Sequence, residues 1–428
     1  MDKIRTLIER TIDIRAGELP ALLISFAYFF FLLCAYYIIR PLRDEMGILG
    51  GIKNLPWVFT GTFLVVLAMV PLYGWVSSRF SRKKFLPLVY FFFIVNLLVF
   101  YLLFHYEISP STVAQSFFIW VSVFNLFVIS VFWSFMSDIY DKDQAKRLFG
   151  SIAAGGTCGA ICGPILTTGL AQPLGTHNLL LISAILLGLS ILCIKKLSLW
   201  FDQQPQTQVD TSYQQPMGGH WLAGFSLVVR SPYLMGIGVL ILMYSMLSTF
   251  LYFQQASIIQ GSFSHSGERT SVFAMIDLAV NSLTILIQLF FTGRIVKYLG
   301  LAWTLALIPL LLAGGFIILS FSPVLAVLII IQVFRRAGNY SIMRPAREML
   351  YVVLEREEKY KAKNFIDTVV YRGGDAVSAW LYDGMRSIGL SLGQIAFIAA
   401  PLAAVWALVA YRLGVQREKI AEAATLKD

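Results

Sequence analysis

Apolar residues run through this chain in blocks of roughly 20, separated by short polar stretches. Twelve such blocks predict helices at 20–39, 56–76, 85–104, 113–137, 148–170, 178–195, 232–256, 270–291, 301–320, 323–343, 364–385 and 392–411. A helix needs about 20 apolar residues to cross a ~30 Å hydrocarbon core, so the block length predicts membrane spans. The expected architecture is all-α and polytopic. The longest polar connection, 196–231, is rich in glutamine and contains Pro205 and Pro216. It divides the spans six plus six, the arrangement of two joined repeats. The expected organisation is an N-terminal six-helix bundle (1–195), a cytoplasmic linker (196–231) and a C-terminal bundle with a cytoplasmic tail (232–428). The linker's composition reads as a flexible tether.

Composition agrees with this pattern. The 428 residues are 57% hydrophobic and 14% charged, with a mean hydropathy of +0.72. Soluble domains carry about 25% charged residues, so this surface cannot face water all round. A soluble enzyme, a disordered chain and a binder of nucleic-acid polymers are excluded together. The net charge of +10 follows instead from the excess of Lys and Arg that cytoplasmic loops carry. With the N-terminus inside, 28 of the 34 basic residues fall in inside segments. Five fall outside (Arg40, Arg43, Lys53, Arg269, Arg386), and Arg372 lies within the eleventh span. This predicts a multi-pass protein of the cell's inner membrane with both termini cytoplasmic. The first 20 residues lack the apolar core and small-residue cleavage site of a signal peptide, so the first span is expected to persist.

Cys34, Cys158, Cys162 and Cys193 all lie in apolar blocks and read as packing residues. His105, His177, His220 and His265 form no metal-ligand spacing, so no metal is expected. No phosphate-binding G-x-x-x-x-G-K-[ST] loop occurs. No catalytic residue and no cofactor is predicted, and any transport must run by secondary coupling.

The halves echo one another. Gly74-Trp-Val-Ser-Ser78-Arg79-Phe-Ser81-Arg82-Lys83-Lys84 follows the second span, and Gly293-Arg294-Ile-Val-Lys297-Tyr-Leu-Gly300 follows the eighth. Asp141-Lys-Asp143-Gln-Ala145-Lys146-Arg147 follows span four, and a longer acidic-then-basic run ending Ala362-Lys363 follows span ten. The first loop resembles the G-x-x-x-D-R-x-G-R-R signature of the major facilitator superfamily, with Ser78 and Ser81 replacing Asp and Gly. Gly150, Gly159 and Gly163-Pro164 in span five resemble the glycine-proline motif of facilitator antiporters. The alternative is small-residue helix packing, because Gly155, Gly159 and Gly163 are four apart.

Charges within a bilayer cost at least ~2.5 kcal/mol each at a helix centre, so each needs a reason. In the eleventh span Asn364, Asp367, Tyr371, Asp375, Ser378 and Tyr382 share one helical face, and Arg372 can pair with Asp375 at i, i+3. Such a stripe lines a cavity or packs on partner helices. The first span ends in Tyr36-Tyr37-Ile-Ile-Arg40-Pro41-Leu42-Arg43-Asp44-Glu45. Its two guanidinium groups suit a phosphate or carboxylate, or else anchor the helix at the interface. Asp277 with Asn281 in span eight is a candidate proton or cation site. Asp138 closes span four, and Arg344, Arg347 and Glu348 close span ten, as ligand contacts or as inter-helix ion pairs.

Several segments resemble, in order, those of the ATP:ADP antiporters of plastids and intracellular bacteria. Tyr37-Ile-Ile-Arg40-Pro-Leu-Arg43-Asp44 is similar to Y-x-x-L-R-D-T-K-D. Trp133-Ser-Phe-Met-Ser-Asp138-Ile and Asp143-Gln-Ala-Lys146-Arg147-Leu-Phe-Gly150 are similar to F-W-x-F-A-N-E-I and D-E-A-K-R-F-Y-x-L-F-G. Pro345-Ala-Arg347-Glu348-Met349-Leu-Tyr351, then Lys361-Ala-Lys363 and Asp367, are similar to P-T-K-E-M-A-Y, K-G-K and D. The resemblance implies that Arg40 and Arg43 contact an anionic ligand and that Asp138 replaces a fourth-helix glutamate. Two departures stand out: Ser248 occupies the place of a seventh-helix acid, and Asp375 that of a later basic residue.

The expected function is secondary transport of a small, anionic, nucleotide-like solute such as ATP or ADP. Arg40, Arg43, Asp138, Arg344, Arg347, Glu348, Tyr371 and Arg372 are the candidate substrate contacts. Asp277, Asn281, Asp367 and Asp375 are the candidate coupling or cavity residues. A proton-coupled carrier of another metabolite or drug is the alternative, and a non-transporting membrane receptor or assembly protein the alternative of another class. The expected partners are the small solute and the lipid bilayer.

Overall fold

The computed structural model describes residues 14–15, 17–79, 82–203 and 221–425, with side chains omitted at 73–85, 142, 221–223, 356–357 and 423–425. The signature loop around Ser78 and Ser81, and the linker core 204–220, lie outside the fully described residues. Every regular element described is a helix. They are α1 (Leu19–Leu49), α2 (Leu55–Arg79), α3 (Arg82–His105), α4 (Pro110–Ile139), α5 (Lys142–Leu174) and α6 (Leu179–Asp202). There follow the short α7 (Trp221–Arg230), then α8 (Pro232–Ser262), α9 (Ser266–Phe290), α10 (Thr292–Phe321), α11 (Leu325–Leu350), α12 (356–387) and α13 (Leu392–Thr425).

Eleven of these helices are long and apolar enough to cross a membrane. The twelfth spanning element, α12, has the length but carries too many polar residues to stand out by hydropathy. Among the described residues the eleven spans and α12 thus match the twelve predicted blocks one for one. The outward faces are apolar, as lipid requires: Leu88, Phe91, Phe92, Val95 and Leu102 on α3 and Leu310, Leu311, Ile317 and Phe321 on α10 are all exposed. On a soluble protein such a patch would be anomalous.

Helix ends differ from the predicted ones where charge misleads hydropathy. The first block ends at 39, yet α1 continues through Pro41 to Leu49. Arg40 and Arg43 therefore sit within a helix, not in a loop. At the start of α5, Asp141 accepts from the Gln144 amide while the Gln144 side chain accepts from the Asp141 amide, a reciprocal cap. Gly300 has a φ of +71°, which a residue with a Cβ adopts at a cost. It kinks α10 where the ninth span was expected to begin.

Both polar helices are interrupted. Asn339–Met343 in α11 and Ile366–Val370 in α12 are single π-helical turns, a device frequent at functional sites. The chain clusters into two compact units. One holds α1, the second half of α2, α3 to α6 and the first part of α9 (His265–Leu278). The other holds Gly51–Leu67 of α2, α7, α8 and the chain from Ala279 onward.

In the first unit α5 packs directly on α1. A Cβ on Gly155 would lie 2.3 Å from the Phe26 carbonyl oxygen, and one on Gly159 2.4 Å from that of Phe30. A Cβ on Gly163 would meet Cys34 and Tyr37 at 2.8 Å. The four-residue spacing thus places three glycines against backbone, the geometry of the packing alternative. Tyr28, fully buried, donates to the Tyr90 hydroxyl at 2.6 Å and packs edge-on against Phe132.

Candidate functional site

In the first unit, the last two turns of α1 carry four charges, and each has a partner. Arg40 Nε lies 3.6 Å from Asp277 Oδ2 on α9, and the Asp277 side chain is only 1% exposed. The Arg40 guanidinium also lies 5.6 Å from the centre of the Tyr37 ring. Arg43 donates to Asp44 Oδ1 from Nε at 3.0 Å and from Nη2 at 2.6 Å, and packs over Phe118. One turn further on, Glu45 is fully buried and receives Arg269 of α9 through Nε at 2.8 Å and Nη2 at 2.7 Å. Sequence reasoning separates Arg40 from Asp277, but the structure joins them. It passes over Glu45 and Arg269 altogether, because their partners are 224 residues apart. Their one signal is that each is a charge in a segment predicted to lie outside, where charge is unexpected.

In the second unit, Asp375 of α12 accepts from Ser245 Oγ at 2.6 Å and from Thr249 Oγ1 at 3.2 Å, both on α8. Arg372 lies 3.7 Å from Asp375 Oδ2, as the i, i+3 spacing predicts, and remains 31% exposed. Gly374 permits this approach, since a Cβ there would meet Ser245 Oγ and Leu242 at 3.0 Å. The Tyr371 ring stacks on Tyr244 with centroids 6.0 Å apart. Ser378 and Tyr382 are buried, Tyr382 against Phe250 and Phe253 of α8. This part of the polar stripe therefore faces a partner helix.

At the end of α11, Arg347 lies 3.5 Å from Asp367 and Lys363 2.5 Å from Glu348. Arg344 is exposed beside the π turn, Asp138 is half-buried in the last turn of α4, and Asn281 is buried one turn beyond Asp277. A second correction concerns α11. Arg335 and Arg336 count among the 28 basic residues of inside segments, yet they are 9% and 8% exposed, near the middle of α11. Among the described residues no cluster of three or more metal-ligand side chains occurs.

A helical membrane fold with two interrupted polar helices and buried ion pairs is a transporter's geometry. The family model described as Major Facilitator Superfamily matches residues 19–347. The chain belongs to that superfamily. A second model, TLC ATP/ADP transporter, matches residues 315–416, the stretch that holds α11 and α12. Curated relatives are distant and near full length. ADP,ATP carrier protein 2 of Chlamydia pneumoniae is 22% identical, covering 89% of this chain and 86% of its own. ADP,ATP carrier protein 1 of Chlamydia muridarum is 21% identical, covering 92% and 87%. Among solved structures, the nucleoside transporter NupG aligns with a TM-score of 0.67 at 11% identity, over 92% of this chain and 99% of that one. An auto-inhibited POT family peptide transporter aligns at 0.63 and 15%, over 92% and 96%. Facilitator membership makes this chain a secondary transporter of a small solute, and its sequence is distantly similar to ADP,ATP carriers.

Proposed function

We propose that the protein exchanges a small anionic solute of nucleotide type across the cell's inner membrane, by alternating access of two six-helix halves (1–195 and 232–428). Both termini and the 196–231 linker are cytoplasmic, and the protein catalyses no covalent reaction. The observation that carries this reading is a coincidence of place. The segment matching the ATP/ADP transporter model, residues 315–416, holds both π-interrupted helices, with the pairs Arg347–Asp367, Lys363–Glu348 and Arg372–Asp375 and the exposed Arg344. Guanidinium groups bind phosphate in two-pronged fashion, and π turns let a helix change its rotation locally.

The ion pairs suit exchange. With no ligand present, Arg40 is held by Asp277 and Arg372 by Asp375. An incoming anion competes with these carboxylates, and only a ligand that binds the two access states differently can drive their interconversion. Arg43, neutralised by Asp44 and packed on Phe118, orients its neighbours more than it waits for a ligand.

The test is uptake of labelled ATP into proteoliposomes preloaded with ADP, against empty vesicles. Uptake that depends on internal ADP supports the reading; equal, absent uptake in both from folded protein rejects nucleotide exchange. One observation favours a second reading, proton-coupled carriage of another metabolite. Asp277 and Asp375 are buried acids whose protonation would release Arg40 and Arg372. Uptake driven by an imposed proton gradient, without counter-substrate, would select it.

A further inference from the structure

Arg335 differs from other arginines of the spanning helices. Arg40, Arg43, Arg147, Arg269, Arg347 and Arg372 each face a carboxylate within 4 Å. Arg335, 9% exposed, faces none among the described residues. Its Nε and Nη2 donate to Gln332 Oε1 at 3.3 and 2.9 Å, and its Nη1 donates to Ser248 Oγ on α8. Both acceptors are neutral. Gln332 is itself oriented, its Nε2 donating to Gln255 Oε1 on α8. The titratable groups acting most strongly on Arg335 are Tyr244, Arg336, Tyr340 and Tyr371, which supply no negative charge while protonated.

The position deepens the anomaly. Arg335 lies ten residues into α11, or ~15 Å along the axis at 1.5 Å per residue, about half the depth of the hydrocarbon core. A charge so placed is costly unless compensated. The place of Ser248 is where the ATP:ADP antiporter pattern has an acid. The α8 side chain that accepts from the guanidinium is thus a hydroxyl in this chain.

Five N–H donors, three of them steered by neutral groups held from a second helix, form a fork prepared for an anion. We propose that Arg335 is the residue that receives the anionic group of the transported solute, a phosphate or carboxylate, with Gln332 and Ser248 fixing its plane. The proposal rests on the reading of the protein as an anion carrier, but not on that anion being a nucleotide. The stacked Tyr244–Tyr371 rings border the site.

The experiment is thermal unfolding of the full-length protein in lipid nanodiscs, titrated separately with ATP, ADP, inorganic phosphate and succinate. The variants are Arg335→Gln, Arg335→Lys and Ser248→Glu. At least one anion should stabilise the wild-type protein, and its apparent affinity should fall about tenfold or more in Arg335→Gln, as for loss of a charge-assisted hydrogen bond. Arg335→Lys should keep part of the response. Ser248→Glu, which sets a carboxylate against the guanidinium, should weaken it comparably and serves if Arg335→Gln does not fold. An anion that stabilises Arg335→Gln as it does the wild type overturns the proposal and leaves nucleotide exchange standing. A response to phosphate or succinate alone, lost in the variants, supports it and removes the nucleotide. No response of the wild type to any of the four also overturns it.

Discussion

Glu18 shows how a single carboxylate can fasten a membrane helix at its end. It accepts from Arg147 at 3.0 Å on both oxygens, from Gln144 at 3.0 Å and from the Arg15 amide at 3.0 Å. These bonds, the Arg147 pair foremost, lower its pKa to about 2 from 4.5. The unfolded chain then binds the proton more readily, so the clamp stabilises fully above pH 4.5 and is lost as pH falls towards 2. Glu18→Gln should lower the unfolding midpoint at pH 7, and that difference from wild type should shrink steadily below pH 4.5. A difference that stays constant with pH would show the clamp to be uncharged in effect. Asp375 offers a second test at this scale. Asn at 375 keeps an oxygen for Ser245 and Thr249 and gives up the charge that faces the half-exposed Arg372, so Asp375→Asn should cost about 1 kcal/mol or less. Asp375→Ala removes the carboxylate acceptor of Thr249 and leaves Ser245 only the Tyr371 carbonyl at 3.0 Å, and should cost about 1–3 kcal/mol. Equal unfolding midpoints for the two variants would mean that the hydroxyls do not depend on it.

Elements were legible in the sequence wherever apolar side chains decide their place. All twelve spans correspond to helices, and the polar eleventh was recoverable from its three-and-four spacing alone. What hydropathy cannot read is charge already cancelled by a distant partner. Arg40 and Arg43 ended the first predicted span at 39, ten residues early, because Asp277 and Asp44 neutralise them. Arg335 and Arg336 count with the inside segments although they fall within the predicted span 323–343, because hydropathy gives no sign that a charge is buried. The π turns left no trace either, since an extra residue in a turn leaves apolar content unchanged. The glycines of α5 show the converse, a spacing whose meaning needed a partner surface. Gly159→Ala drives a Cβ to 2.4 Å from the Phe30 carbonyl and should cost about 1–3 kcal/mol by overpacking. Gly150 has open space at its Cβ, so Gly150→Ala should be neutral or stabilise by up to about 1 kcal/mol. Fluorescence-detected unfolding of the two variants side by side checks the contrast; equal midpoints would contradict it.

For the whole molecule, the decisive feature is that α1 and the first part of α9 are tied twice, by Arg40–Asp277 and by Glu45–Arg269. These helices are the first and eighth predicted spans, which the proposed mechanism assigns to opposite halves. In an alternating-access cycle, contacts between repeats on one side must open when the other side closes. Glu45 is fully buried, and opening such a pair leaves two charges to be rehydrated, so the pair sets how readily the state recorded here gives way. Reversing one charge puts like charges in contact: Glu45→Arg or Arg269→Glu alone should slow exchange about tenfold or more. The double variant Glu45→Arg/Arg269→Glu rebuilds the pair with its polarity reversed, and the non-additive part of a double-mutant cycle isolates the interaction itself. Recovery of at least half the wild-type exchange rate in the double variant is the expected result. If each single variant transports at the wild-type rate, the pair is a passive packing contact. If the double variant is as slow as the singles, the cost lies in the altered shape of the helix ends and not in the charge that joins them.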